Sequence, residues 1–197
     1  MNTQIYRRVK ANVISSSYLP RIRIKIDDAF LYVGKLQFNL YQRALVDLFL
    51  FADASGKKIE RLIWVQFEGK LDSDDQTYNY PTSPTVTLGV RDFYYNSAVF
   101  KYTPYLQEHP FSDVSKGVNF LRKEGFKLED EVMYHRYVNV VDEEKRNELI
   151  ISYIEGLSVT GFTVADLREE ESAKGKWRSL AKELHKKANE SFVILEC

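Results

Sequence analysis

Residues 46–52 and 59–67 constrain this chain most, because both faces of any strand they form are apolar. Successive side chains of a strand point to opposite faces. Leu48, Leu50, Leu62 and Trp64 therefore share one face, and Phe49, Phe51, Ile63, Val65 and Phe67 share the other. Between the segments, Asp53-Ala54-Ser55-Gly56-Lys57-Lys58 supplies turn chemistry, so the pair reads as a hairpin. A strand pair with one wet face alternates apolar and polar residues. This one does not, and it needs cover on both sides: a core on one, a helix or a partner subunit on the other.

The rest of the chain supplies more strands than helices. Residues 18–26 alternate Ile22, Ile24 and Ile26 with Arg21, Arg23 and Lys25; Asp27-Asp28 turns the chain; and residues 29–38 alternate again around Gly34, a bulge candidate. These two segments read as a first hairpin. Residues 69–84 are polar and form a long loop, followed by strands at 85–90 and 93–102. Ser112 or Asp113 caps a short helix carrying Val114, Val118 and Leu121 and ending at Gly125. Residues 132–141 and 147–155 form a third hairpin across a charged turn. Asp166 and Glu169 open a long C-terminal helix with Ala173, Trp177, Leu180, Leu184 and Ala188 on one stripe, and 192–195 is a last strand.

The expected fold is mainly β (α+β): one curved or closed antiparallel sheet of about eight to nine strands, with a short middle helix and a long C-terminal helix packed on it. No linker composition divides residues 1–197, so one domain is expected, with 1–17 as a flexible N-terminal arm.

Several functional classes drop out. With 28 basic and 28 acidic residues the chain is formally neutral, and no basic run marks a nucleic-acid binder. The single cysteine, Cys197, excludes an intrachain disulfide and a cysteine metal site. There is no phosphate-binding glycine loop, no zinc-ligand spacing of His109, His135 and His185, and no nucleophile elbow. No metal and no cofactor is expected. Arg7, Arg8 and Lys10 precede no apolar run of signal-peptide length, and no stretch is long enough to span a bilayer. A cytoplasmic protein is the expectation.

What remains is a small set of polar residues in apolar surroundings. Asp47 lies inside Val-Asp-Leu-Phe-Leu-Phe and needs a cation, for which Arg43 and Arg61 are nearest. If Val141 pairs with Asn147, His135 faces Tyr153 and lies near Tyr137 and Glu155, while Arg136 shares the other side with Tyr134 and Ser152. His185 falls on the charged part of the last helix and reads as solvated. Glu68 and Glu155 each stand one residue before a strand-ending glycine, which raises a paired-carboxylate reading. The 13 tyrosines cluster locally, and Tyr78-Asn79-Tyr80-Pro81 in the long loop is a contact-surface candidate.

The expectation is a non-enzymatic binding protein that holds a small, mainly apolar ligand within the curved sheet. Its binding residues are Arg43, Asp47, Trp64, Glu68, Tyr134, His135, Arg136, Tyr153 and Glu155. Two alternatives stand beside it. One is a scaffold that forms a homo-oligomer or meets a partner protein through the central hairpin and the tyrosine-rich loop. The other is a hydrolase or isomerase using Glu68, Glu155 and His135.

Overall fold

A computed structural model describes residues 6–169 and 173–195. It contains two antiparallel sheets instead of one. The first has four strands: β1 (Arg7–Lys10), β2 (Val13–Ser16) and β3 (Ile22–Ile26), with β11 (Phe192–Leu195) beside β3. The second has seven, in the spatial order β4 (Leu31–Leu40), β5 (Ala44–Ser55), β6 (Lys58–Lys70), β10 (Asn147–Gly156), β9 (Glu131–Val140), β8 (Arg91–Lys101) and β7 (Thr85–Leu88). Helices α1 (Tyr102–Glu108) and α2 (Asp113–Lys123) follow β8, and α3 (Val164–Glu169) and α4 (Ala173–Glu190) precede β11.

The β5–β6 hairpin has the two-sided burial its sequence demands. Phe49, Phe51, Ile63, Val65 and Phe67 enter a core completed by Ile14, Ile22, Ile24 and Ile26 of the four-stranded sheet and by Leu167, Leu184 and Ala188 of α3 and α4. Leu48, Leu50, Leu62 and Trp64 enter a second core with Val118 and Leu121 of α2. Both covers come from this chain. Removing a large side chain from water contributes about 1.5–3 kcal/mol, so these two faces account for much of the stability of the fold.

The single curved or closed sheet is not found, and the reason lies in β3. One edge of β3 pairs with β2 and the other with β11. Neither edge is left for β4, so the expected first hairpin does not form and the chain crosses between sheets at Asp27–Phe30. Asp27 shapes that crossing by accepting from the backbone N–H of Ala29. Residues 7–10 and 13–16, expected in a flexible arm, pair as β1 and β2; residues 1–5 lie outside the described residues, as does Cys197.

The helices also differ. Thr163 and Asp166 exchange hydrogen bonds, 2.7 Å from the Thr163 N–H to Asp166 Oδ2 and 3.2 Å from the Asp166 N–H to Thr163 Oγ1. The cap is therefore Thr163, and the expected single C-terminal helix is described as α3 and α4. Helix α1 starts at Tyr102, the residue expected to end the strand over 93–102. By contrast, Ser112 caps α2 as its sequence indicates, and the bulge falls beside Gly34, where the β4–β5 register shifts between Tyr32 and Gly34.

Candidate functional site

The two faces of the seven-stranded sheet carry two different polar constellations. On the α2 side, Trp64, Gln66 and Glu68 of β6 stand opposite Ser152, Ile150 and Glu148 of β10. Next to them β9 presents Tyr134 and Arg136, which pair with Ile154 and Ser152. Helix α2 settles closely on this face because residue 117 is glycine; a Cβ there would overlap the Trp64 ring and meet Leu48 Cδ2 at 3.2 Å.

Between the sheet and α1–α2 lies a cleft of about 280 Å³. Its apolar wall consists of Trp64, Phe100, Tyr102, Tyr105, Tyr134, Val114, Ile150 and Ile154, and its polar part of Gln66, Asp113, Arg136 and Ser152. The wall is braced by ring packing. Phe100 meets Tyr102 and Tyr105 edge-on, each with centroids 5.0 Å away. Burial pushes the Tyr102 phenol well above its ordinary value, so its ring acts as a neutral wall.

A hydrogen-bonded chain runs from the cleft toward the sheet end. Trp64 Nε1 donates to Gln66 Oε1 at 3.0 Å, and Gln66 Nε2 donates to Glu68 Oε2 at 2.8 Å and to Asp113 Oδ2 at 3.2 Å. The Tyr78 hydroxyl donates to Glu68 Oε1 at 2.7 Å, and the Tyr80 hydroxyl to Glu148 Oε2 at 2.6 Å. Burial draws the Glu68 carboxyl upward, with a contribution from Asp113. Burial likewise draws Glu148 up to about 7, with Glu68 adding to the effect. The loop that delivers both tyrosines is fastened by Arg146, whose Nη1 and Nη2 donate to the carbonyls of Asp74 and Leu71 at 2.8 and 2.6 Å.

Chemically, the cleft offers ring faces for an apolar body and a guanidinium for an acceptor; behind it, reached through Gln66, a carboxyl pair holds a proton near neutral pH. Arg136 lines the cleft, and its Nε donates to Asn96 Oδ1 at 3.2 Å.

The opposite face holds the His135 group, in the register its sequence indicates: Tyr153 pairs with His135, and Val141 N–H donates to Asn147 at 2.8 Å. Here His185 is half-buried and packs against His135. Its Nδ1 lies 3.0 Å from His135 Nε2, its Nε2 lies 3.0 Å from Asn189 Nδ2, and Ser97 Oγ lies 2.7 Å from His135 Nδ1. Burial, with His185 adding to it, pulls the His135 ring down to about 4. Glu155 accepts from the Tyr153 hydroxyl and from Lys187 Nζ at 3.0 Å. These groups satisfy one another in two hydrogen-bonded sets, with His135 only 1% exposed, so they read as packing that carries buried polar tips.

The nine expected binding residues are therefore divided. Trp64, Tyr134 and Arg136 line the cleft, and Glu68 is one hydrogen bond behind it. His135, Tyr153 and Glu155 lie on the other face of the sheet. Asp47 also faces that way, paired with Arg7 at 2.6 Å and Lys35 at 2.8 Å instead of Arg43 or Arg61. Arg61 pairs with Asp53, and Arg43 is exposed at the β4–β5 turn. Because Glu68 and Glu155 project from opposite faces, they cannot flank one substrate, and the catalytic grouping with His135 fails geometrically. Sequence reasoning missed Gln66, Asp113, Phe100, Tyr105 and Glu148. For Glu148 the signal was present, since the third-hairpin register already placed it on the Ser152 side.

Among the described residues, no group of three or more His, Cys, Asp or Glu side chains is placed to hold a metal ion, and no helix is long and apolar enough to cross a membrane. No protein-family model, curated protein or solved structure matches this chain.

Proposed function

We propose that this protein is a non-enzymatic binding protein whose cleft between α2 and the seven-stranded sheet takes a small, mainly apolar ligand. The observation that carries the reading is the cleft itself: five aromatic rings enclosing about 280 Å³ beside a few convergent polar groups. Ligand sites have this make-up, and the volume is at the lower edge of their usual range. The ligand is therefore the size of one substituted ring. Arg136 and Ser152 serve its polar substituent, while Trp64, Tyr134 and Phe100 cover its body.

The scaffold alternative has lost its two supports. Both faces of the central hairpin are covered by this chain, and the Tyr78 and Tyr80 hydroxyls turn inward.

Trp64 makes the test direct. Trp177 is the second tryptophan of the chain, so Trp177→Phe leaves Trp64 as the reporter. Benzyl alcohol, benzoate and benzylamine, equal in size and different in charge, are titrated against that variant. Saturable change in Trp64 emission by at least one, abolished by Ser152→Phe, supports the reading. No saturable change with any, or the same change with Ser152→Phe, overturns it.

A further inference from the structure

The four-stranded sheet has an outer face that the cleft does not involve. Its inner face buries Ile14, Ile22, Ile24 and Ile26, so by alternation Arg23 and Lys25 of β3, Arg21 just before it, and Arg8 and Lys10 of β1 all point outward. The register aligns them: Arg8 pairs with Ser15 and Ser15 with Arg23, while Lys10 pairs with Val13 and Val13 with Lys25. Strand β2 separates the two cationic strands, so it forms a floor of small side chains between two rims roughly 9.5 Å apart. Along β3, cations recur roughly every 6.6 Å.

The trough deepens at one end into a depression of about 470 Å³ lined by Tyr6, Arg8, Ser15, Ser17, Arg21 and Arg23. Tyr6 is 59% exposed, with the Arg8 guanidinium 5.9 Å from its ring centroid. Arg91 extends the β3 row, its Nη2 donating to the Arg21 carbonyl at 3.3 Å. The ion pair found on this face among the described residues is Lys25 with Asp28, at the far end.

We infer that this trough binds single-stranded nucleic acid, a function separate from the cleft. A chain formally neutral overall places Arg8, Lys10, Arg21, Arg23 and Lys25 on one sheet face, where among the described residues Asp28 is the carboxylate paired with them. Two rims of guanidinium and ammonium groups over a narrow floor fit one phosphate backbone lying along the strands, and Tyr6 supplies a ring for base stacking at the deep end. The exposed apolar side chain that β11 adds beside Lys25 is Val193, whereas a bilayer surface would favour a broad apolar patch to enter the interface. No basic run is visible in the sequence because each strand contributes alternate residues and the two strands are joined only by the fold.

The test measures fluorescence anisotropy of a labelled oligothymidine of about 12 nucleotides, within the site sizes of such proteins, against the full chain. Expected are binding at low salt and a log–log salt slope between about −2 and −3.5, at roughly −0.7 per neutralised phosphate for three to five contacts. An Arg8→Gln/Arg21→Gln/Arg23→Gln variant, verified as folded by circular dichroism, should bind at least about tenfold more weakly. A Lys182→Gln/Lys186→Gln variant, which removes cations of α4, should bind as the parent does. The proposal is overturned by no binding at low salt, by equal loss in the α4 variant, by tighter binding of the matching duplex, or by binding to phosphatidylserine vesicles without binding to the oligonucleotide.

Discussion

Glu68 and Glu148 are direct cross-strand partners on β6 and β10, and each accepts a hydrogen bond from a tyrosine of the same loop, Tyr78 or Tyr80. Two buried carboxyls held opposite one another resist ionising together. The consequence is a proton kept on the pair near neutral pH, at the end of the chain of hydrogen bonds that leads to Trp64.

This fixes a sign for the pH dependence. Folding raises the Glu148 pKa from 4.5 to about 7, so the folded chain holds that proton more tightly than the unfolded chain does. Its contribution to stability is full below the unfolded value and is lost as pH rises to about 7. At about 1.4 kcal/mol per pH unit the loss is of order 3 kcal/mol. Glu148→Gln should flatten this limb and be more stable than the parent above neutral pH, as read by urea midpoints across pH.

His135 acts with the opposite sign. Its pKa falls on folding from 6.5 to about 4, so the stability of the neutral ring is present above 6.5 and is lost as pH falls through about 4. His135→Gln should weaken the acid-side loss. It should also cost about 1–3 kcal/mol at neutral pH by leaving Ser97 or His185 without its partner. The same urea series reads both effects.

Gly117 sets the distance between α2 and the cleft floor. Gly117→Ala should destabilise by about 1–3 kcal/mol through overpacking against Trp64 and Leu48. With Trp177→Phe as background, its signature is a shifted Trp64 emission maximum, because the indole must move. An unshifted spectrum at parent stability would contradict the packing described.

Asp47 joins the two sheets. On β5 it meets Arg7 of β1, whose guanidinium also stacks 4.3 Å above the Phe67 ring. Burial opposes the Asp47 charge, but hydrogen bonds from Lys35 and Arg7 outweigh it and hold the carboxyl below its usual range. Asp47→Ala leaves a buried guanidinium without its carboxylate and should cost about 3–5 kcal/mol. Amide exchange should then speed up first in β1 and β2.

Much of the strand content was legible because the patterns are local, alternation in β3 and β4 and unbroken apolar runs in β5 and β6, and the third hairpin was legible down to its register. The division into two sheets was not. Ile22, Ile24 and Ile26 show that β3 has an inner face, but not that its second edge belongs to β11, which lies far along the chain. The cleft was half legible for the same reason. Trp64, Tyr134 and Arg136 follow from hairpin registers, whereas Phe100, Tyr105 and Asp113 arrive with helices whose placement depends on Gly117 fitting against Trp64. Asp47 signalled its need for a cation, but its partner Arg7 comes from a strand that local pattern alone does not bring near.

The most direct measurement of the central claim is the Trp64 emission titration in the Trp177→Phe chain with benzyl alcohol, benzoate and benzylamine. The account predicts a saturable change with at least one probe, lost when Ser152→Phe fills the cleft. A flat response to all three, or a response that Ser152→Phe leaves intact, would contradict it.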